Sequence, residues 1–222
     1  MRKRLFLVFA CSLLMLCITG CQNKKALDFK KDYESVNGNV NSSGKENRTV
    51  NINENNPYER ITAKEVLEKI EQKETFYVYF GDKLCPWCRS VIEKSIEVAN
   101  ELGIKKIYYV AIWDDEGKEI LRSRYALEEG KLVKTIEGTE EYYKLLEVFN
   151  DLLRDYNLTD EKGNNVATGE KRIYAPNYIY VEKGKAKKLT EGISKIQQDP
   201  REELTKEILK EEEELFREFF TK

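Results

Sequence analysis

The feature that most constrains the fold is a pair of cysteines placed where an apolar run ends and a helical pattern begins. Residues 75–80 form the run TFYVYF, and a short turn leads from it to Cys85-Pro86-Trp87-Cys88. Proline is favoured at the first position of a helix, where its missing N–H removes no hydrogen bond. The pattern therefore predicts a strand, a turn and a helix with Cys85 as N-cap and Pro86 as first residue.

The predicted positions of the two cysteines give them different chemical roles. A helix N-terminus carries a partial positive charge and unpaired N–H groups, which stabilise a thiolate. We therefore expect a lowered pKa and nucleophilic character for Cys85, with Cys88 as the resolving thiol that closes the disulfide. Lys83 and Arg89 are expected to favour the thiolate, and Asp82 to oppose it.

The first residues have the pattern of a secretory signal peptide. Three basic residues precede the apolar run 5–16, which at about a dozen residues is too short to span a bilayer as a helix. The segment ends in Ile18-Thr19-Gly20-Cys21, which resembles the lipobox of bacterial lipoproteins. That resemblance implies removal of residues 1–20, lipidation of Cys21, and a protein anchored by lipid to the outer, extracytoplasmic face of the cell membrane.

The remaining cysteines restrict the chemistry of the pair. Two of the five cysteines leave with the signal peptide and Cys21 is taken by lipid, so that only Cys85 and Cys88 remain in the mature chain. A structural zinc site needs four sulfur or imidazole ligands, and the chain has no histidine. Arg89 stands where a c-type haem site requires histidine. These residues favour redox chemistry, with no metal and no cofactor.

Composition separates a polar leader from a globular part. Residues 21–57 are rich in Asn, Lys, Ser and Gly, which predicts a flexible tether; two apolar islands, 27–33 and 50–52, are the parts that can dock on the domain. The formal net charge is −2 and the basic residues are scattered, so no nucleic-acid partner is expected. The domain itself is predicted over 58–222.

Within that domain the hydrophobic periodicity predicts alternating helices and strands. A capping box at Thr62 to Glu65 opens a helix over 63–72, and the strand 75–80, the cysteine helix and the strand 106–113 form a parallel βαβ unit. The remaining predicted elements are a helix or loop over 114–124, a hairpin over 125–136, a helix over 140–156, a turn or loop over 158–171, a strand and hairpin after Pro176, and a C-terminal helix opened by Asp199 and Pro200 that docks on the sheet.

The order of these motifs resembles the thioredoxin family, and more narrowly the lipid-anchored thioredoxin-like proteins of Gram-positive bacteria. The resemblance covers roughly 62–222 and implies an α/β, thioredoxin-like fold with a central mixed sheet flanked by helices. It implies a cis bond before Pro176, which lies beside the cysteines, and pairing of the Ala175 backbone with substrate. Residues 114–171 exceed the family pattern and are expected to be a largely helical insertion, and Tyr79 stands where thioredoxin has a buried aspartate.

The resemblance implies a membrane-tethered thiol–disulfide oxidoreductase. Cys85 and Cys88 are its expected catalytic residues, its partners are protein thiols or disulfides, and a second protein recycles the pair. Trp87, Ala175 and Pro176 are the expected substrate-binding residues, although Trp87 fits equally well as a cover for the helix start. The alternative is an accessory or redox-sensing lipoprotein that uses the domain as a binding scaffold without turnover.

Overall fold

The chain is α/β, built on a mixed five-stranded sheet. The computed structural model describes residues 24–41 and 44–221. The proposed signal peptide and Cys21 therefore lie outside the described residues. None of the helices in the described part is long and apolar enough to cross a membrane.

The helices are α1 (24–34), α2 (Ala63–Glu71), α3 (Pro86–Glu101), α4 (Glu140–Phe149) and α5 (Lys206–Phe220), with a short 3₁₀ turn over Asn150–Leu152. The sheet strands are β1 (Tyr58–Arg60), β2 (Phe76–Gly81), β3 (Ile107–Ala111), β8 (Asn177–Glu182) and β9 (Lys185–Thr190). Their order in the sheet is β1-β3-β2-β8-β9. Two separate hairpins consist of β4 (Arg124–Glu128) with β5 (Lys131–Ile136) and of β6 (Arg154–Thr159) with β7 (Asn165–Arg172).

Strand β2 lies at the centre of the sheet and carries the cysteine turn at its carboxyl end. It pairs in parallel with β3, which pairs in parallel with β1, and antiparallel with β8. The parallel pairing predicted for the βαβ unit is confirmed. Because both faces of the sheet are covered, five of the six residues of β2 are buried, which explains why its sequence is a nearly continuous apolar run.

Each face of the sheet is covered by helices. On one face, α1, α3 and α5 pack on a cluster dominated by aromatic side chains: Phe29, Tyr33, Tyr58, Tyr79, Tyr109, Tyr178 and Phe216. On the other face, α2 and α4 pack on a largely aliphatic cluster that includes Val66, Val78, Leu145 and Ile179. The cysteine pair belongs to the aromatic cluster.

Several helix ends agree with the sequence predictions. The Thr62 and Glu65 side chains each bond to the other's backbone N–H, which completes the predicted capping box of α2. Cys85 is the N-cap of α3 and Pro86 is its first residue. The predicted hairpin over 125–136 is present as β4 and β5, joined by a turn in which Glu129 and Gly130 both have positive φ.

The tether prediction is wrong for the part of 21–57 that the structure describes. Residues 24–34 form a helix, and the side chains of Ala26, Phe29 and Tyr33 are buried at helical spacing. Phe29 stacks on Tyr58 with ring centroids 4.5 Å apart, and Val50 is also buried. Both apolar islands therefore dock on the domain, because a few large aromatic side chains can bury enough surface to order an otherwise polar segment.

The predicted largely helical insertion at 114–171 is also wrong. The segment contains one helix, α4, and the two hairpins. Its helical pattern continues past Phe149 in sequence, but the chain leaves the helix there and Leu153 adopts an extended conformation while remaining buried. The predicted turn or loop over 158–171 is wrong as well, because β7, with the sequence NVATGEKR, forms a hairpin with β6 although it lacks an apolar alternation; β6 begins within the predicted helix over 140–156.

The predicted start of the C-terminal helix is wrong by six residues. The helix begins at Lys206 with Thr205 as N-cap, while Asp199 and its neighbours form a turn in which the Asp199 side chain accepts the Arg201 N–H at 2.8 Å. The Arg48 guanidinium bonds to the carbonyls of Pro200 and Glu202, which are then not available to a helix. The predicted docking on the sheet is confirmed, since Phe216 lies edge-on to Tyr178.

Candidate active site

The two cysteines lie at the carboxyl end of β2, on the first turn of α3. The Cys88 N–H donates to the Cys85 Sγ at 3.3 Å, and the Cys85 N–H donates to the Asp82 carbonyl at 3.2 Å. Both are free thiols; the residue of Cys85 is 5% exposed and that of Cys88 is fully buried. Cys85 is therefore the more accessible of the two cysteines.

The environment moves the pKa values of the two thiols in opposite directions. Burial raises the pKa of Cys85, but hydrogen bonds from the Cys88 side chain and backbone, together with the positive charge of Arg122, outweigh it and leave the pKa below its ordinary value. Burial raises the pKa of Cys88 well above its ordinary value, and the neighbouring Cys85 sulfur raises it further. These directions match the division of roles expected from the helix N-terminus.

The segment before β8 lies against Cys85. The Ala175-Pro176 peptide bond is cis, and the Cys85 thiol donates to the Ala175 carbonyl at 3.4 Å. Pro176 is buried, whereas Ala175 and Trp87 are partly exposed and pack on the cysteine cluster. The structure thus brings together the predicted site residues Cys85, Trp87, Cys88 and Ala175, and Pro176 directly follows Ala175. The predicted lipidation site, Cys21, lies outside the described residues.

Lys83 and Arg89 have different surroundings from those expected of cations that stabilise a thiolate. Lys83 Nζ bonds to Asp32 Oδ1 at 2.7 Å and to Asp115 Oδ1 at 2.6 Å, so its charge is already paired. Arg89 is fully buried and donates to backbone carbonyls, including those of Tyr33 and Arg48, both at 2.8 Å. Arg89 therefore joins the N-terminal segment to the cysteine helix.

The cation that does lower the Cys85 pKa is Arg122. It is almost fully buried, pairs with Glu119 at 2.8 Å, and donates to the Ile173 carbonyl at 3.2 Å. Arg122 lies in the segment 114–171, far from the cysteines in sequence. No local motif marks Arg122, so its effect on Cys85 could not be predicted from the sequence.

Asp82 opposes the thiolate, as the sequence predicts. Its side chain is buried, and burial raises its pKa to about 6 despite the N–H bonds that it accepts from Leu84 at 2.9 Å and Trp113 at 3.2 Å. Its negative charge raises the pKa of Cys85. Asp82 and Arg122 therefore act on the pKa of Cys85 in opposite directions, beside the larger effects of burial and of the hydrogen bonds from Cys88.

Beneath the cysteines, Tyr79 occupies the position where the resemblance places a buried acid. Tyr79 is fully buried, and its hydroxyl lies 2.7 Å from the hydroxyl of Tyr33 on α1. The Tyr33 hydroxyl also donates to the Asp82 carbonyl at 3.2 Å. The N-terminal segment, predicted as a tether, thus supplies a polar group to the floor of the site.

Comparison of the sequence with models of known protein families finds no match, and comparison with curated proteins finds no significant relative. Among residues 24–41 and 44–221, no three or more His, Cys, Asp or Glu side chains are grouped so that they could hold a metal ion. The function is therefore inferred from the geometry of the site.

Proposed function

We propose that this protein is a thiol–disulfide oxidoreductase that acts on protein thiols or disulfides through Cys85 and Cys88. One observation carries the proposal: two free thiols share a helix N-terminus, and the more exposed of them has the lowered pKa. A loop closed by such near neighbours in sequence contributes little to stability as a structural staple, so the pairing suits exchange chemistry.

The proposed reduction of a substrate disulfide proceeds in two exchanges. The Cys85 thiolate attacks one substrate sulfur, which forms a mixed disulfide and releases the other substrate sulfur as a thiolate. Cys88 then attacks the Cys85 sulfur, which forms the Cys85–Cys88 disulfide and releases the second substrate thiolate. The substrate gains two electrons, the cysteine pair loses two, and the Cys88 proton ends on a departing substrate thiol. Oxidation of a substrate dithiol follows the same steps in reverse.

A thioredoxin-like fold is the finer proposal within the α/β class. It is supported by the strand order β1-β3-β2-β8-β9, by the site at the carboxyl end of central β2, and by the contact of Cys85 with the Ala175 carbonyl. In this proposal the backbone of the partly exposed Ala175 pairs with an extended substrate segment, and Trp87 covers the side chains of that segment.

Attachment to the outer membrane face through lipidated Cys21 is a separate proposal, and the lipobox resemblance at 18–21 supports it. We expect mass spectrometry of the mature N-terminal peptide to find Cys21 carrying a diacylglyceryl group. We also expect Cys21→Ala to move the protein out of the membrane fraction. An unmodified Cys21, or a processed N-terminus elsewhere, would contradict this proposal without touching the redox one.

The trapping experiment tests the oxidoreductase proposal. Cys88→Ser removes the resolving thiol, so we expect substrate proteins to accumulate on Cys85 as mixed disulfides that mass spectrometry identifies. Cys85→Ser is the matched control, because it retains the buried thiol and should trap nothing. If the Cys88→Ser variant is folded and captures no protein, the scaffold alternative is favoured. If it captures substrates, the reduction potential of the Cys85–Cys88 pair in the unsubstituted chain shows whether the protein reduces or oxidises them.

A further inference from the structure

The end of the sheet opposite the cysteines forms a separate surface. Strands β1, β2 and β3 are parallel and begin at this end, and antiparallel β8 ends there, so the length of β2 separates this surface from the cysteine turn. The β8–β9 turn is held against the start of β2, because the Lys183 N–H donates to Thr75 Oγ1 at 3.0 Å. We call the turns and adjoining element ends here the sheet base, which comprises residues 53–57, 71–75, 101–106 and 182–185.

Helix α1 begins beside the sheet base. Lys25 pairs with Glu59 on β1, and Glu59 also pairs with Lys106, just before β3, at 2.8 Å. Farther along α1, the Tyr33 hydroxyl reaches the cysteine end of the sheet. The helix therefore runs from the sheet base toward the cysteines. The proposed lipidation site, Cys21, lies four residues before Lys25, so a short piece of chain ties the sheet base to the proposed anchor.

The sheet base is basic, although the chain as a whole has a formal net charge of −2. The exposed lysines at the base and at the start of α1 are Lys24, Lys73, Lys105, Lys183 and Lys185. Three glutamates there are paired with a lysine or an arginine: Glu59, Glu74 and Glu101. The exposed lysines outnumber the remaining glutamates of the base, which are Glu54, Glu71 and Glu182. The fold thus gathers basic residues that are scattered in the sequence, and gives this end a positive potential.

A cleft in the sheet base adds apolar surface to the lysines. Its volume is about 460 Å³, and its lining includes Tyr77, Leu102, Ile104, Lys105 and Phe220. Leu102 is 40% exposed in the turn that follows α3. Tyrosine and lysine beside an exposed aliphatic side chain are the residue types that proteins place at the headgroup level of a bilayer.

We propose that the sheet base is a docking surface for a bilayer that contains anionic lipids. The lysines bind the lipid headgroups, the Leu102 side chain inserts among them, and the cysteine end of the sheet faces away from the membrane. Two observations favour a membrane over a soluble partner: the positive charge of the base and its short connection to Cys21. This inference rests on the proposed lipidation of Cys21.

The two tryptophans of the chain are natural reporters of this orientation. Trp87 lies on the first turn of α3, and the Trp113 N–H donates to Asp82 Oδ2 at 3.2 Å, so both lie at the cysteine end. The purified mature lipoprotein is reconstituted into phosphatidylcholine vesicles with a trace of dansyl-labelled lipid, with or without phosphatidylglycerol. Energy transfer from tryptophan to dansyl falls as the cysteine end moves away from the bilayer. We expect less transfer on the anionic vesicles, and high salt should abolish the difference.

Charge reversal at the sheet base tests which residues are responsible. Each lysine near an anionic surface contributes about fivefold to binding. Lys105→Glu combined with Lys183→Glu should therefore lower the ratio of docked to undocked protein by about 30-fold or more, and raise the transfer to its level on neutral vesicles. Lys118→Glu combined with Lys162→Glu is the matched control, because it makes the same charge change in exposed turns outside the base and should leave the transfer low. The base variant should still reduce a chromogenic aromatic disulfide at the parent rate, which separates a loss of docking from a loss of the oxidoreductase function.

Several results would overturn the inference: equal transfer on the two vesicle types, greater transfer on the anionic vesicles, or an equal response of the two double variants. Undocking by inorganic phosphate at constant ionic strength would overturn it as well, since the base would then bind free anions. If mass spectrometry finds no lipid on Cys21, the lipidation proposal fails by itself, and sedimentation of the same protein with vesicles decides about the base. Pelleting with anionic vesicles alone, lost in the Lys105→Glu and Lys183→Glu double variant, supports docking, and no pelleting overturns it.

Discussion

A buried carboxylate on α5 gives a sharp test of how burial controls charge in this protein. The Glu212 residue is 0% exposed, and neither of its side-chain oxygens has a hydrogen-bond partner. Burial raises its pKa to about 8, although the charges of Lys94 and Arg48 act in the opposite direction. Glu212→Gln replaces the carboxyl with a neutral group of the same shape and disrupts no hydrogen bond.

The expected effect follows from the difference in proton affinity between the folded and unfolded states. Glu212 has a pKa of about 8 when folded and an ordinary value of 4.5. Between these values the unfolded chain binds fewer protons, so the free energy of unfolding falls as pH rises. The loss is about 3 kcal/mol at pH 7 and about 5 kcal/mol above pH 8. The Gln variant avoids this loss.

Urea unfolding at several pH values measures the difference. We expect Glu212→Gln to differ little from the parent chain near pH 4.5 and to be more stable by about 5 kcal/mol at pH 9. Glu214→Gln on the same helix is the control, because its side chain is 67% exposed; its effect should stay within about 0.5 kcal/mol. A difference between parent and Glu212→Gln that does not change with pH would refute the reasoning.

Three further predictions concern the site and the N-terminal segment. Arg122→Gln should raise the pKa of Cys85 and slow its alkylation at neutral pH in a Cys88→Ser background, whereas Arg122→Lys, which keeps the charge, should not. As pH rises through about 6, Asp82 ionises and raises the pKa of Cys85, so the pH profile of alkylation should show an inflection there that Asp82→Asn lacks. Phe29→Ala should lower the free energy of unfolding by about 3–5 kcal/mol in urea titrations, because the ring is buried against Tyr58; an unchanged value would mean that the segment does not dock.

Local signals in the sequence were sufficient for the elements around the cysteines. The apolar run before the turn, Pro86 and the capping box at Thr62 each act within a few residues, so their consequences can be inferred without knowing the fold. The ends of α4 and α5 could not be predicted in this way. At α5, Arg48 binds the carbonyls near Pro200 from a distant part of the chain, and such a contact leaves no trace in the local pattern.

The residues of the candidate site also fall into two groups: those that a local sequence pattern marks and those that only the fold brings to the site. Cys85, Cys88 and Ala175 were found because a short motif and a resemblance mark them. Arg122 and Tyr33 were not found, because each reaches the cysteines only through the folding of a segment whose composition predicted a tether or an insertion. For Tyr33 a signal existed, since the spacing of Ala26, Phe29 and Tyr33 is helical, but the surrounding polar residues outweighed it in the prediction.

The docked N-terminal segment changes where the proposed enzyme would work. Residue 24, which is helical, follows Cys21 by three residues, so at most about 11 Å of extended chain separates it from the proposed lipid anchor. Tyr33 lies only about 14 Å farther along α1, and its hydroxyl touches that of Tyr79 beneath the cysteines. Under the proposed lipidation, no long stalk holds the domain away from the bilayer. Its substrates would therefore be proteins whose cysteines lie close to the membrane surface, such as chains emerging from it or anchored in it.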